Sequence, residues 1–180
     1  MNANDTTRRP AAAPITARLD GPPERPIRLR REFTVPGEVA SAELRITALG
    51  IYEAALNGSP VHDHVLAPGW TTYQHRHRYQ TVDVTGLLSG GANCLAITVA
   101  EGWYRGRLGF GGGVREVYGT DIGAVAELVV RSADGAETVI ATDSSWRAAH
   151  SPITFASLYD GEHVDARLET PGWAEPGFDD

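Results

Sequence analysis

The sequence contains no lysine and a single cysteine, and none of its apolar runs approaches the length of a membrane span. All 16 basic residues are arginine, and 23 acidic residues outnumber them, which gives a net charge of −7. A protein that binds nucleic acid needs a basic face to displace counterions from phosphates, and a membrane span needs about 20 consecutive apolar residues. We therefore predict neither a nucleic-acid partner nor a membrane partner.

The cysteine content and the first residues bear on the cellular compartment. A single cysteine, Cys94, cannot form an internal disulfide, so a disulfide framework is excluded. It stands in a strand-like run, where a buried and unreactive thiol is the favoured interpretation. The first ten residues lack the apolar stretch of a secretory signal. These features predict a cytoplasmic protein.

Residues 1–26 differ in composition from the rest of the chain. Five of the 11 prolines fall there, among alanine and arginine residues, and apolar anchors are few. Proline restricts φ and removes a backbone donor, and a stretch of this kind buries too little apolar surface to fold. We predict a flexible leader over 1–26 and one domain over 27–180.

From residue 27 onward, short β-type runs are separated by turn residues. Leu44, Ile46 and Ala48 alternate with polar residues, which is the period of a half-buried strand, and Leu95, Ile97 and Val99 repeat the spacing. Asp134-Gly135 separates the β-rich runs 125–130 and 137–142, a strong hairpin signal. Helical periodicity is weak throughout. With 20 glycines and many short strands, the chain is predicted to form an all-β, jelly-roll-like β-sandwich.

Four histidines stand in two His-x-His pairs, His62 with His64 and His75 with His77. On a strand such a pair puts both imidazoles on one face, and two pairs supply the ligands of a tetrahedral zinc site. Arginines interleave the second pair, and histidines on surface strands are common. Solvated surface histidines are therefore the favoured interpretation, and a zinc site is the alternative.

Five segments follow one another in an order that is more specific than any of them alone. They are Gly-Ile-Tyr-Glu-Ala-Ala-Leu-Asn-Gly at 50–58, Leu-Ala-Pro-Gly-Trp-Thr-Thr-Tyr at 66–73, Tyr-Gln-Thr-Val-Asp-Val-Thr at 79–85, Gly-Trp-Tyr-Arg-Gly-Arg at 102–107, and Tyr-Asp-Gly-Glu at 159–162 with Asp-Ala-Arg at 165–167. In this order they resemble the β-sandwich domain at the amino-terminal side of bacterial α-L-rhamnosidases, glycoside hydrolase family 78. The resemblance covers residues 27–180.

The resemblance implies an ancillary domain. In that family the hydrolytic carboxylates belong to a separate (α/α)6 barrel further along the chain, which 180 residues do not supply. The parent reaction would be hydrolysis of terminal α-L-rhamnosyl bonds. Residues 176–180 end in mid-motif, so we expect the polypeptide to continue into that following catalytic domain.

A related sandwich of the family is an L-rhamnose-binding module, carbohydrate-binding module family 67, which holds its sugar through calcium. An Asp-Asn pair ahead of the Leu-x-Pro turn faces sugar and metal there, and the matching pair here is Asp63 and His64. Asp63 keeps the hard carboxylate oxygen that calcium prefers. His64 offers a nitrogen instead, which is a poor calcium ligand. The resemblance therefore implies calcium bound to Asp63 as a cofactor. The nitrogen of His64 makes calcium binding less favourable.

The remaining candidates for the rhamnose site lie on two other segments. The second contact loop of the family falls on 112–117, where Gly112, Glu116 and Val117 are the candidates. Trp70 follows a Pro-Gly turn and is the candidate aromatic platform, because an indole offers a flat apolar face. Trp103 lies between two close glycines and is expected in the core instead.

The segment Tyr159, Asp160 and Glu162 is a candidate interdomain contact. It stands near the exit toward the expected catalytic domain and combines an aromatic ring with two carboxylates in four residues. We interpret it as a docking segment or as a loop over the neighbouring cleft.

Two other functions stay open beside sugar binding. One is a purely structural domain that packs against the barrel without binding sugar. The other is an autonomous hydrolase, which usually needs two carboxylates at a defined separation, and no nucleophile motif accompanies the acids here. The carboxylates near predicted loops are Asp63, Glu101, Glu116, Asp121, Asp160 and Glu162.

Overall fold

The computed structural model describes residues 12–179, where β-strands make up most of the regular structure. Helix α1 is short, Gly102–Arg105, and 3-10 turns span Thr85–Leu87 and Ala166–Leu168. Within residues 12–179 no helix combines the length and the apolar character needed to cross a membrane. The strands are β1 (Ile15–Thr16), β2 (Ile27–Val35), β3 (Val39–Leu49), β4 (Ile51–Leu56), β5 (Ser59–Pro60), β6 (Gln80–Asp83), β7 (Gly91–Ala100), β8 (Gly123–Ser132), β9 (Glu137–Ala141), β10 (Arg147–His150), β11 (Ile153–Ser157) and β12 (Gly161–Val164).

Two five-stranded antiparallel sheets form a sandwich. Sheet one has the order β1-β8-β3-β6, and β9 also pairs with β8. Sheet two has the order β10-β2-β7-β4-β5, while β11 and β12 form a separate hairpin. The chain passes from sheet one to sheet two at Gly50, between β3 and β4. The predicted all-β sandwich is confirmed.

The hydrophobic core lies between the two sheets. Leu44 and Ile46 of β3 and Leu128 of β8 come from sheet one, and Leu95 and Ile97 of β7 come from sheet two. Each is at most 1% exposed, and burying one such side chain stabilises the fold by about 1.5–3 kcal/mol. The period-two alternation in the sequence therefore identified the inward face of both sheets. Cys94 is fully buried, as predicted.

The hairpin between β8 and β9 forms as the Asp-Gly pair predicts. Arg131 pairs with Glu137 across the strands, and the Ser132 N–H donates to the Ala136 carbonyl over 2.9 Å. Gly135 has φ = +87°, a conformation that glycine adopts without steric cost. The turn chemistry thus sets the register of this edge.

Residues 12–26 differ from the predicted flexible leader. Strand β1 pairs with Ala124 and Gly123 of β8, and Ile15 and Leu19 pack against the core. The Arg25 guanidinium also donates twice to the Ser151 carbonyl, over 3.0 and 2.8 Å. The physical reason is that residues 15–19 carry apolar side chains at alternate positions, which suffices for an edge strand despite the nearby prolines. The other part of the predicted leader, 1–11, lies outside the described residues.

Residues 169–179, the C-terminal strap, cross the outer face of sheet two. The Arg28 guanidinium of β2 lies 4.3 Å from the centre of the Trp173 ring and donates to Glu169 Oε1 over 2.9 Å. Arg30 donates to the Glu175 carbonyl over 3.0 Å. Because side chains alternate along a strand, these arginines point away from the core, and the strap is what buries them. The strap thereby brings an indole ring over sheet two.

Candidate functional site

Asp63 and His64 line a cavity of about 350 Å³ on the outer face of sheet two. Glu53 of β4, Thr98 of β7 and Trp173 of the strap line the same cavity. We call this space the Asp63 cavity. It combines two carboxylates, a hydroxyl and the imidazoles of two histidines with one indole ring, and its walls also include small apolar side chains: Ala55, Ala96 and Val65.

Local structure fixes the segment that carries Asp63. Strands β4 and β5 form a tight hairpin in which Leu56 pairs with Ser59. Val61, which follows directly, is 6% exposed and belongs to the core. Once Val61 is anchored, the next residues emerge at the rim of sheet two, where Asp63 and His64 are exposed.

The two imidazoles beside Asp63 stack on each other. The ring centres of His62 and His64 are 4.6 Å apart, and the His64 backbone N–H donates to His62 Nδ1 over 3.2 Å. Nδ1 is therefore an acceptor, which assigns the proton of the neutral ring to Nε2, 3.1 Å from the Tyr52 hydroxyl. Desolvation, followed by repulsion from His64, lowers the pKa of His62 below its usual 6.5. The neutral ring is thus favoured at neutral pH.

Tyr52 connects this pair to the interior. Its hydroxyl donates to Gln80 Oε1 over 2.9 Å, and Gln80 Nε2 donates to the Pro68 carbonyl over 3.4 Å. Burial raises the pKa of the Tyr52 hydroxyl, so it stays protonated and acts as a donor. The network holds the rim of the Asp63 cavity to the loop before Trp70.

The structure supports neither the zinc site considered for the four histidines nor the calcium site considered for Asp63. His75 and His77 lie in an exposed turn and loop rather than on a strand, and no group of three or more His, Cys, Asp or Glu side chains within residues 12–179 is arranged to hold a metal. The ring donors next to Asp63 are nitrogens, which suit calcium poorly. The residues around Asp63 therefore do not fit a calcium site.

Trp70 lies outside the Asp63 cavity, in a cluster of aromatic side chains. Its indole is 52% exposed, stacks on Trp103 with 6.3 Å between ring centres, and donates to the Tyr118 hydroxyl over 3.1 Å. Tyr73 supports the cluster from below, edge-on to Tyr104 at 5.2 Å. Trp103 is half-buried and is not part of the core between the sheets. The expectation that it is a core residue was wrong.

The predicted second contact loop, 112–117, lies outside the Asp63 cavity. Gly112, Glu116 and Val117 are exposed and do not line the Asp63 cavity. Glu116 borders a different cavity of about 300 Å³, together with Asp121. Of the predicted sugar-binding residues, the structure therefore brings only Asp63 and His64 together, and the roles of the others stay predictions.

Glu101 is a buried carboxylate whose oxygens are bound by two arginines. It is 2% exposed and accepts from Arg105 Nε over 2.9 Å and from Arg115 Nη2 over 2.7 Å to each oxygen. Arg105 also donates to the carbonyls of Thr120 and Pro23. This buried network ties the loop after β7 to residues 12–26.

The predicted interdomain residues Tyr159 and Asp160 lie against the loop 107–110. Arg107 donates to Asp160 Oδ2 over 2.6 Å and lies 4.8 Å from the centre of the Tyr159 ring. Phe110 meets the same ring edge-to-face at 5.5 Å. Hydrogen bonds from Arg107, and next from Ser157, hold the pKa of Asp160 below its usual 3.8. Glu162 lies on β12, exposed and opposite Ala156.

Trp173 and Glu53 were missed by the sequence reasoning. A signal for Trp173 was available, because Pro171-Gly172-Trp173 repeats the Pro68-Gly69-Trp70 motif that was noted. Glu53 alternates with buried residues along β4, which marks it only as an exposed position. Its place in the Asp63 cavity depends on the neighbouring strands and the strap.

Comparison with known proteins gives a consistent picture. A family described as "Alpha-L-rhamnosidase N-terminal domain" matches residues 37–180. The α-L-rhamnosidase of Streptomyces avermitilis is 50% identical over 153 residues, which cover 84% of this chain and 15% of that protein. The crystal structure of native α-L-rhamnosidase from Aspergillus terreus superposes with a TM-score of 0.89 at 47% identity, covering 94% of this chain and 20% of that one. The crystal structure of the S. avermitilis α-L-rhamnosidase complexed with L-rhamnose superposes with a TM-score of 0.83 at 49% identity. The match covers 87% of this chain and 15% of that one. The chain thus spans only about a sixth of the curated relatives it matches.

Proposed function

The chain belongs to the α-L-rhamnosidase N-terminal domain family, and from this membership we propose that it is an ancillary, non-catalytic β-sandwich of an α-L-rhamnosidase that binds L-rhamnose in the Asp63 cavity. The observation that carries the proposal is that Asp63 and Trp173, over a hundred residues apart in sequence, line one cavity of about 350 Å³. This volume is at the small end of ligand pockets, of roughly 300–1,000 Å³, and suits a single sugar ring.

The lining matches the chemistry of a 6-deoxyhexose. The carboxylates of Glu53 and Asp63 accept hydrogen bonds from neighbouring sugar hydroxyls, and such charge-assisted bonds are stronger than neutral ones. Ala55 and Ala96 offer an apolar wall to the methyl group. Trp173 adds an aromatic surface for the C–H face of the ring. The relative solved in complex with L-rhamnose supports the choice of this sugar.

The catalytic step belongs to another part of the polypeptide in this proposal. Hydrolysis of terminal α-L-rhamnosyl bonds would be carried out by the portion of the relatives that this chain does not span. Glu101, one of the candidate acids, is enclosed by two arginines, which supports a non-catalytic domain. The sandwich would raise the local concentration of rhamnosides near the catalytic portion.

We predict that calorimetric titration of the chain with L-rhamnose gives millimolar or tighter binding. Asp63→Ala should weaken it by at least about tenfold, because the loss of a charged acceptor leaves a sugar hydroxyl without its partner. Glu38→Ala is the matched control, since Glu38 is exposed in the turn between β2 and β3, away from the cavity. Chelator and added calcium should leave the heat unchanged. Equal binding by the Asp63→Ala variant, or no heat from the folded chain, would reject the Asp63 cavity as the sugar site.

A further inference from the structure

Phe110 is an exposed aromatic side chain in the loop after helix α1. It is 88% exposed, and Val114 and Val117, further along the same loop, are 63% and 43% exposed. Leaving a phenyl ring in water forgoes the free energy that its burial would contribute. A group of exposed apolar side chains in one loop is a candidate interaction surface.

The Phe110 ring meets the Tyr159 ring edge-to-face at 5.5 Å, and five polar or stacking contacts hold Tyr159 and its surroundings in place. Arg107 donates to Asp160 and to the Gly109 carbonyl and stacks on Tyr159. The Tyr159 hydroxyl accepts from the Gly109 N–H over 3.0 Å, and Ser157 Oγ donates to Asp160 over 2.9 Å. These contacts join two segments about 50 residues apart. We call Arg107, Phe110, Tyr159 and Asp160 the Phe110 platform.

The chemistry of the platform favours a protein partner over a sugar. A sugar needs donors and acceptors for its hydroxyls, but Arg107 and Asp160 already satisfy each other. The platform presents an aromatic surface with an arginine beneath it, and aromatic residues and arginine are enriched at protein interfaces. The Asp63 cavity, which is lined by the carboxylates of Glu53 and Asp63, has the opposite character.

We propose that the Phe110 platform docks onto an apolar surface of the remaining α-L-rhamnosidase polypeptide. The relatives carry about five-sixths of their length outside the part that this chain spans, so a large covalent neighbour is the partner at hand. This inference rests on the proposed role as a domain of a larger rhamnosidase. It adds the surface through which the sandwich contacts the rest, and it is independent of where the sugar binds.

Hydroxyl-radical footprinting tests the proposal by side-chain accessibility. The chain alone is compared with an S. avermitilis α-L-rhamnosidase in which this chain replaces the matching segment. Oxidation of Phe110 and Tyr159 should fall at least about fivefold in the larger protein, because interface cores exclude water. Tyr79, which is 50% exposed and lies elsewhere, is the control and should react equally in both. Equal oxidation of Phe110 in both proteins would overturn the proposal.

Further footprinting measurements test whether a second copy of the chain or L-rhamnose covers the Phe110 platform. Protection of Phe110 in the isolated chain that grows with protein concentration would indicate self-association, and protection that requires L-rhamnose would indicate a sugar surface. Either result overturns the proposal. If the chimera does not fold, hydrogen exchange of the segment aligned with 107–118, in the intact S. avermitilis enzyme and in its excised segment, gives the same comparison. Phe110→Ser in the isolated chain should keep its rhamnose heat, which separates this test from that of the proposed function.

Discussion

Replacing Gly50 with alanine is expected to lower the free energy of unfolding by at least about 3 kcal/mol. Gly50 joins β3 to β4 at the crossover between the sheets and has φ = +141°, a region that residues with a Cβ occupy only under strain of about 1–3 kcal/mol. A Cβ there would also overlap the Ala100 carbonyl oxygen. That oxygen belongs to β7, which pairs with β4 at this point, so it has little room to move.

The matched control is Gly37→Ala. Gly37 also has positive φ, +80°, but a Cβ there meets nothing within 4 Å, so only the conformational cost of about 1–2 kcal/mol remains. Urea denaturation gives the free energy of unfolding of each variant. The difference between the two losses is the cost of overlap with the Ala100 carbonyl oxygen, beyond the backbone strain that both variants share. Equal losses in the two variants would show that the crossover tolerates a side chain and that the packing of β4 on β7 is looser than described.

Glu101→Gln is expected to destabilise the chain by about 3 kcal/mol. The substitution keeps the shape but removes the charge that pairs with Arg105 and Arg115. The Arg105 side chain is only 9% exposed, and a buried cation without its counter-charge costs far more than an exposed one. Arg105 retains the carbonyls of Thr120 and Pro23, which limits the loss.

The control for this prediction is Glu137→Gln. Glu137 pairs with Arg131 across the β8–β9 hairpin, with side chains 37% and 58% exposed, and an exposed pair contributes roughly 0–1 kcal/mol. Urea denaturation should therefore show a small change at Glu137 and a large one at Glu101. Similar small losses of unfolding free energy in the two variants would mean that the hydrogen bonds and ion pairs of Glu101 do not stabilise the loop after β7.

The sandwich was predictable because each of its signals is local. Leu44 and Ile46 alternate with polar residues, and Asp134-Gly135 supplies the turn, so strand faces and one hairpin follow from neighbouring residues alone. Residues 12–26 show the limit of such reasoning. Their proline content predicts flexibility, but apolar residues alternate at 15–19, and β1 forms where this short pattern meets β8. The pairing with β8 joins segments more than 100 residues apart, so local composition does not report it.

The candidate site was predictable only in part, for the same reason. Asp63 and His64 follow from the resemblance, and the structure places both at one cavity. Trp173 joins them through the strap, in which its ring packs on Arg28 at the outer face of β2. Trp70 and Trp173 share the same Pro-Gly-Trp motif but reach different surfaces. Tertiary packing of distant segments, rather than the motif, decides which indole lines the Asp63 cavity.

The most direct test of the central claim is a ¹H–¹⁵N NMR titration of the chain with L-rhamnose. The four tryptophans give separate indole N–H signals, and each reports on its own surroundings. Binding in the Asp63 cavity predicts that the Trp173 indole and the Thr98 amide shift with sugar, while Trp70 and residues 112–117 do not. Shifts at Trp70 and 112–117 with Trp173 unmoved would contradict the account and place the sugar at the loop that the family resemblance alone suggests.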